Sequence, residues 1–303
     1  MISGAKVLDN RAGSAPGQRL EFRGKNGRPC SLILLPGPYS EMAPIFEAVL
    51  PRLTARHARG IGVASFSLRL VGVPESVADE RLDAVRARFP DARFTILASG
   101  GEVSFHTTVL SRSSASAKKT LASLRREVID AVGQWSYGEG DDTLESVLGE
   151  RLKKRKLTLA VAESCTGGLL GGRITAVPGS SAWFHGGIIA YANAVKTRHL
   201  GVSTALIARC GAVSAECAAA MARGIRKSAN SDIGVSITGI AGPDGGTKEK
   251  PVGLVFVAVC GPETGIQVRR HEFHGPRESV RLRAVTAALS LLKEVFTGSH
   301  KPL

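Results

Sequence analysis

LTLAVAESCTGGLLGGRITA (157–176) decides how the second half of the chain folds. Its first residues form an apolar run that stops at Glu163 and Ser164, the pattern of a strand buried on both faces. Small residues from Cys165 to Gly168 predict a tight turn, and the glycine-rich stretch beyond them predicts a helix as far as Ala176. The alternation then repeats. GGIIAYAN (186–193) predicts a strand and AVKTRHLG (194–201) a short helix. SAECAAAMARGIRKSA (214–229) predicts a strong helix, with Ser214 as N-cap and Glu216 in the first turn. DIGVSITG (232–239) reads as a third buried strand. VGLVFVAVCG (252–261) and IQVRRHEFHG (266–275) read as an antiparallel pair, and PRESVRLRAVTAALSLLKEVF (276–296) as a closing helix with Pro276 at its start. Five strands with interleaved helices imply an α/β fold, a layered domain on a mixed sheet spanning 147–303.

Upstream the pattern changes. ASFSLRLVGV (64–73) alternates as a half-buried strand, and PESVADERLDAVRARF (74–89) carries apolar positions at helical spacing. ARFTILAS (92–99) and EVSFHTTVL (102–110) flank Gly100-Gly101 as a hairpin, and KKTLASLRREVIDAVGQW (118–135) is a second amphipathic helix. This β-α-β-β-α order predicts a small α+β domain over 58–146, its helices on one face of a sheet and its core closed by Trp135 and Tyr137. The turn at 138–142 serves as its linker. Residues 1–57 supply one strand run, SLILLPGP (31–38), and a helix from Ser40 towards Leu53, too little to bury a core of their own.

Composition narrows the classes. The chain has 303 residues and a net charge of +14, with no apolar run near the roughly 20 residues that span a bilayer. MISGAKVLDNRAG lacks a secretory apolar core, so the expected compartment is the cytoplasm. Cys30, Cys165, Cys210, Cys217 and Cys260 form no C-x-x-C pair, so neither a zinc site nor a disulfide framework is expected. Charge is uneven. Residues 1–150 carry 19 Lys/Arg against 17 Asp/Glu, and residues 151–303 carry 21 against 9. That excess suits an anionic ligand, either a small phosphate ester or nucleic acid.

Ser164 sits where a buried strand gives way to a helix. A hydroxyl there can serve as a nucleophile beside backbone N–H groups, or simply cap the helix. The seven histidines form no triad pattern. Lys196 is the other candidate base, early in the helix after strand 186–193, with Tyr191 near that strand's end. Residues at the carboxyl ends of parallel strands converge on one crevice, which would bring Ser164, Tyr191 and Lys196 together. A lysine acting as base at neutral pH needs its pKa lowered by desolvation or nearby positive charge, whereas an ordinary surface lysine does not. Thr238 and Gly239 open a glycine-rich turn that can approach an anion or merely turn the chain. Arg277 and Arg281 share one helix face, as a phosphate clamp or as a solvated basic face.

Taken together, AESCTGGLLGGRITAVPGSSAWFHGGIIAYANAVKTRHLGV, GAVS, SITGIAGPDGG, KPVGLVFVAV and FHGPRESVRLRAVTAAL resemble the C-terminal amidase domain of the CinA family, which also occurs alone as a nicotinamide-nucleotide amidase of the PncC type. The resemblance implies a hydrolase that converts nicotinamide mononucleotide and water to nicotinate mononucleotide and ammonia. It implies Ser164 as nucleophile, Lys196 as base and Tyr191 as a further catalytic residue. Thr166, Gly167, Thr238, Gly239, Arg277 and Arg281 would bind substrate. No metal or cofactor is implied. The expected partner is a small pyridine nucleotide, with a homodimer as the assembly, no membrane contact and at most weak nucleic-acid binding. Residues 58–146 resemble the family's KH-like middle domain. NRAGSAPG (10–17) and LLPGPYSEMAPIFEAVLPRL (34–53) resemble the end of its molybdopterin-binding-like domain, with Tyr39 in place of a usual proline. Most of that domain, including its glycine-rich nucleotide region, lies outside the sequence, so its pyrophosphatase activity is not expected. The alternative reading is a nucleic-acid-associated competence or repair factor, or a non-catalytic remnant. The second segment's near-neutral charge and lack of a G-x-x-G loop weigh against the former.

Overall fold

The computed structural model describes residues 1–57, 61–262 and 265–297. The chain divides into two compact units, one of residues 1–63 with 110–118 and one of residues 64–109 with 119–303. In the first, β1 (Lys6–Leu8), β2 (Gly17–Arg23) and β3 (Pro29–Leu34) form an antiparallel sheet in that order, followed by α1 (Tyr39–His57). Two of these strands were not legible as strands. β2 mixes Arg, Gln and Glu with its apolar residues, and its sequence carries no clean period-two pattern. Among the described side chains of α1, Ile45 and Val49, four apart, are the buried ones.

The second unit contains two sheets. The smaller has the order β5-β6-β4-β7, from β4 (Gly62–Val71), α2 (Glu75–Arg88), β5 (Ala92–Ser99), β6 (Glu102–Ser111), α3 (Ser114–Val132) and β7 (Ser136–Glu139). The hairpin forms as the glycine pair predicts, with Ser99 opposite Glu102 across Gly100-Gly101. Phe66, Leu68 and Leu70 of β4 pack with Val103 and Phe105 of β6 against Leu82 and Val85 of α2 and Leu124 and Val128 of α3. The expected linker begins as strand β7, which adds a fourth member to the sheet. Trp135 packs on this core, but Tyr137 belongs to the neighbouring one, its phenol donating to Glu102. Trp135 ends the 3-10 turn Gly133–Trp135 ahead of β7, so strand alternation does not carry its direction over to Tyr137, two residues on.

The larger sheet has the order β12-β11-β10-β8-β9. Its elements are α4 (Leu144–Arg155), β8 (Leu159–Glu163), α5 (Leu169–Thr175), β9 (Phe184–Ile189), α6 (Asn193–Leu200), α7 (Thr204–Cys210), α8 (Ala215–Ser228), β10 (Ile233–Gly239), β11 (Leu254–Gly261), β12 (Gly265–Glu272) and α9 (Arg277–Thr297). β9, β8 and β10 run parallel, and β11 and β12 are antiparallel to their neighbours. This is the mixed α/β sheet that the strand pattern implies. Alternate residues feed two layers. Leu159 and Val161 of β8 join Val235, Ile237, Val257 and Val259 in a core covered by α4, α5 and α9. Ala160 and Ala162 face α6, α7 and α8, where Leu200, Met221 and Ile225 pack. Small residues let α8 come close: a Cβ on Gly234 would lie 2.2 Å from the Ala222 carbonyl oxygen.

Arg173 on α5 ties the two parts of this unit together. It donates to Glu145 (Nε to Oε2, 2.8 Å), to Thr286 (Nη1 to Oγ1, 3.0 Å) and to Glu102 at the hairpin. Among the described residues no helix is long and apolar enough to cross a membrane.

Candidate active site

The carboxyl ends of β8, β9 and β10 lie side by side, because all three strands run the same way. Each contributes to one crevice. Ser164 follows β8 directly, and its N–H donates to Ile237 O (3.0 Å), which sets it beside Thr238 at the end of β10. Ala190 and Tyr191 follow β9 and lead into α6, whose fourth residue is Lys196.

Lys196 is 1% exposed, unusual for a lysine. Its Nζ lies 2.7 Å from Ala190 O, 3.1 Å from Tyr191 O and 3.3 Å from Ser164 Oγ. Burial lowers its pKa below the ordinary lysine value, against the smaller opposing influence of Cys217 and Cys165. Positive charge from the arginines, the other cause open to sequence reasoning, is not what acts here. Arg277 donates to Gly242 O (Nη1, 2.7 Å) and to the Tyr191 phenol oxygen (Nη2, 3.1 Å). Arg281 donates to Cys165 O (Nε, 3.1 Å) and Thr166 O (Nη2, 2.8 Å). Thus Tyr191 reaches Lys196 through its backbone carbonyl, while its exposed ring is held by Arg277 at the rim.

The loop after Ser164 folds back on itself. Gly167 N–H donates to Ser164 O (3.1 Å), and Gly168 takes a φ of +97°, a left-handed conformation that favours glycine. Thr166 is fully buried, with no hydrogen-bond partner for its Oγ1 among the described residues. Thr238 is also buried and donates to Ala212 O (2.8 Å), which links the glycine-rich turn to the GAVS segment before α8. Gly239 packs so closely on β11 that a Cβ there would lie 2.7 Å from Leu254 O. Cys165, beside the serine, is no rival nucleophile at neutral pH: burial pushes its thiol up to about 11. His185, the other base considered, lies at the amino end of β9, with Nδ1 3.1 Å from Ala229 O.

Sequence reasoning missed Glu163. This carboxylate is 2% exposed in a strand of otherwise apolar residues. Its Oε2 accepts from the N–H groups of Gly168 and Leu170 (both 3.1 Å), and its Oε1 from that of Gly171 (2.8 Å). The signal was available: a charged residue inside a buried run needs partners, and α5 has no side-chain N-cap of its own. Among the described residues no cluster of His, Cys, Asp and Glu could hold a metal ion.

Comparison with known proteins agrees with this architecture. The family model for the CinA C-terminal domain matches residues 141–296. A protein of Moorella thermoacetica described as competence-damage inducible is 44% identical over 96% of this chain and 69% of its own length. A CinA-like protein of Gemmatimonas aurantiaca is 43% identical over 97% of this chain and 68% of its own. Among solved structures, the competence damage-inducible protein A of Klebsiella pneumoniae is 32% identical, covering 52% of this chain and 97% of that one, with a TM-score of 0.50. The chain therefore belongs to the CinA family.

Proposed function

We propose that the chain is an amidohydrolase that removes ammonia from the carboxamide of nicotinamide mononucleotide, with Ser164 as nucleophile and Lys196 as base. The observation that carries this reading is the setting of the Lys196 amine. Two of its three neighbours are carbonyl oxygens, which can only accept. A neutral amine has two N–H bonds and one lone pair. Its N–H groups then go to Ala190 O and Tyr191 O, and the lone pair faces the remaining neighbour, the Ser164 hydroxyl 3.3 Å away. Burial favours that neutral form.

In this mechanism Ser164 Oγ attacks the carboxamide carbon as its proton passes to Lys196 Nζ. The carbonyl oxygen becomes an oxyanion, which backbone N–H groups after Ser164 stabilise. Lys196 returns the proton to the departing nitrogen, and ammonia leaves an acyl-enzyme. Water then attacks the ester carbon and gives a proton to Lys196. Collapse of the second intermediate expels Ser164, which takes that proton back and frees the carboxylic acid. Thr166, Gly167, Thr238 and Gly239 line the substrate's seat, and Arg277 at the rim supplies positive charge for its phosphate.

Ammonia release from nicotinamide mononucleotide tests the reading, with parallel Ser164→Ala and Lys196→Ala proteins. The parent should turn over, and Ser164→Ala should lose activity by a factor of at least about 10³, consistent with loss of a nucleophile. Comparable turnover by the serine variant would sink the assignment.

A further inference from the structure

The seven-residue helix α5 and the glycine-rich turn before it look like a seat for an anion, yet the donors there are already taken. Glu163 accepts from Gly168, Leu170 and Gly171, so the loop's own carboxylate fills the place that a substrate oxygen would need. Of the loop's backbone donors, Ser164 N–H goes to Ile237 O, Gly167 N–H to Ser164 O and Leu169 N–H to Thr166 O (3.3 Å). Among the described residues the Thr166 N–H donates to no group, and the Cys165 N–H meets only its own thiol sulfur. They are the two that can meet an oxyanion.

What aims them is the other side of each peptide. In a planar trans peptide the C=O and the N–H point in opposite directions. The Cys165–Thr166 peptide has its carbonyl held by Arg281 Nε, so the Thr166 N–H faces away from that guanidinium. The Ser164–Cys165 peptide has its carbonyl held by Gly167 N–H, so the Cys165 N–H faces away from Gly167. Gly167 in turn is fixed by its neighbours: Arg281 Nη2 holds Thr166 O at 2.8 Å, and Glu163 holds the Gly168 N–H at 3.1 Å.

We propose that Glu163 and Arg281 are positioning residues that clamp the Ser164 loop from its two sides and thereby aim the Cys165 and Thr166 N–H groups at the substrate's carbonyl oxygen. Arg281 acts on the loop and is not a ligand of the substrate phosphate. This assignment rests on the amidase reading of the same site.

The two roles for Arg281 separate kinetically. A phosphate ligand matters to the nucleotide and not to the nucleoside, whereas a clamp matters to both. The experiment measures kcat and KM for nicotinamide mononucleotide and nicotinamide riboside with the parent, Arg281→Gln, Arg281→Lys and Glu163→Gln proteins. Folding of each is checked by thermal melting. Misaiming one donor should lower kcat about 10²-fold, by the same factor on both substrates, with KM near the parent value. Arg281→Lys, which keeps one cationic donor, should fall between the glutamine variant and the parent. A raised KM confined to the nucleotide, with kcat retained, would overturn the proposal and make Arg281 a phosphate ligand.

Hydrogen exchange over residues 164–171, followed by mass spectrometry, judges the clamp without reference to turnover. Exchange should quicken there in Glu163→Gln and Arg281→Gln, and an unchanged pattern in both would also overturn it. A parent protein that releases no ammonia would defeat the amidase reading alone, leaving the clamp to be judged by the exchange data. Should Glu163→Gln fail to fold, the two Arg281 variants still decide the point.

Discussion

Lys196 carries the most specific chemical commitment in the chain. In a lysine sealed from water, two carbonyl oxygens can take the N–H bonds of the neutral amine and leave its lone pair to the one hydroxyl, and burial favours that form. Because burial depresses its pKa, the free base grows in with rising pH at values below the roughly 10.4 of a solvated lysine. The sign follows: kcat/KM should rise with pH through one ionisation of the free enzyme and then level off. Lys196→Arg should retain less than about one-hundredth of the parent activity at every pH, because a guanidinium does not release its proton and cannot fit the same three contacts. The measurement is kcat/KM from pH 6 to 10 for both proteins. An active arginine variant with the parent's pH profile would remove the lysine from the mechanism. Ser164, Tyr191 and Lys196 were legible as candidates because they stand where parallel strands end. The cause of the lysine's depressed pKa was not, since burial depends on the packing of β9, α6 and α8 around it.

Elements whose residues lie on one structural period were read easily, and those whose stability comes from elsewhere were not. The helix at α8 announced itself through its alanines and its Ser214 cap, and the cap is in place: Ser214 Oγ accepts from Cys217 N–H at 3.1 Å and donates to Gly211 O at 3.0 Å. β8 and β10 were visible as apolar runs, but their side-by-side pairing was not, since the crossover rule fixes the hand of a parallel connection and not which strands are neighbours. The strands β1, β2 and β7 were missed because they are short or mixed in polarity, and α7 because its seven residues carry no fully buried position. The inward-facing Glu163 escaped because a lone acidic residue at a strand end also suits a surface. Ser214→Ala offers a clean test at this scale. It removes the N-cap and leaves Cys217 N–H and Gly211 O without that partner, so it should cost about 1–2 kcal/mol of stability. Urea unfolding at neutral pH measures it. A midpoint unchanged from the parent would mean that other groups satisfy the start of α8.

For the whole molecule, charge is the feature that most invites a second interpretation. Residues 151–303 hold +12 of the chain's +14, which by itself would suit nucleic acid as well as a phosphate ester. The arrangement of that charge favours the small anion. Arg173 and Arg281 are engaged inside the fold, and Arg277 is bonded to Gly242 O and the Tyr191 phenol at the rim of the crevice. The remaining excess is spread over separate elements, as at Lys153, Lys154 and Arg155 of α4 and Arg269 and Arg270 of β12. Several of these are themselves paired, Lys153 with Glu150, Arg269 with Glu294 and Arg270 with Glu272. We therefore predict only weak, sequence-independent DNA binding, made through a handful of phosphate contacts. With about five such contacts, counterion release should reduce affinity roughly 10²- to 10³-fold between 50 and 200 mM salt. Titration of labelled single- and double-stranded oligonucleotides of two unrelated sequences, at both salt concentrations, checks each part of this. Equal and steeply salt-dependent affinities are the expected outcome. Tight binding that survives 200 mM salt, or a strong preference between the sequences, would mean that a nucleic-acid surface exists and that the charge of this region serves it.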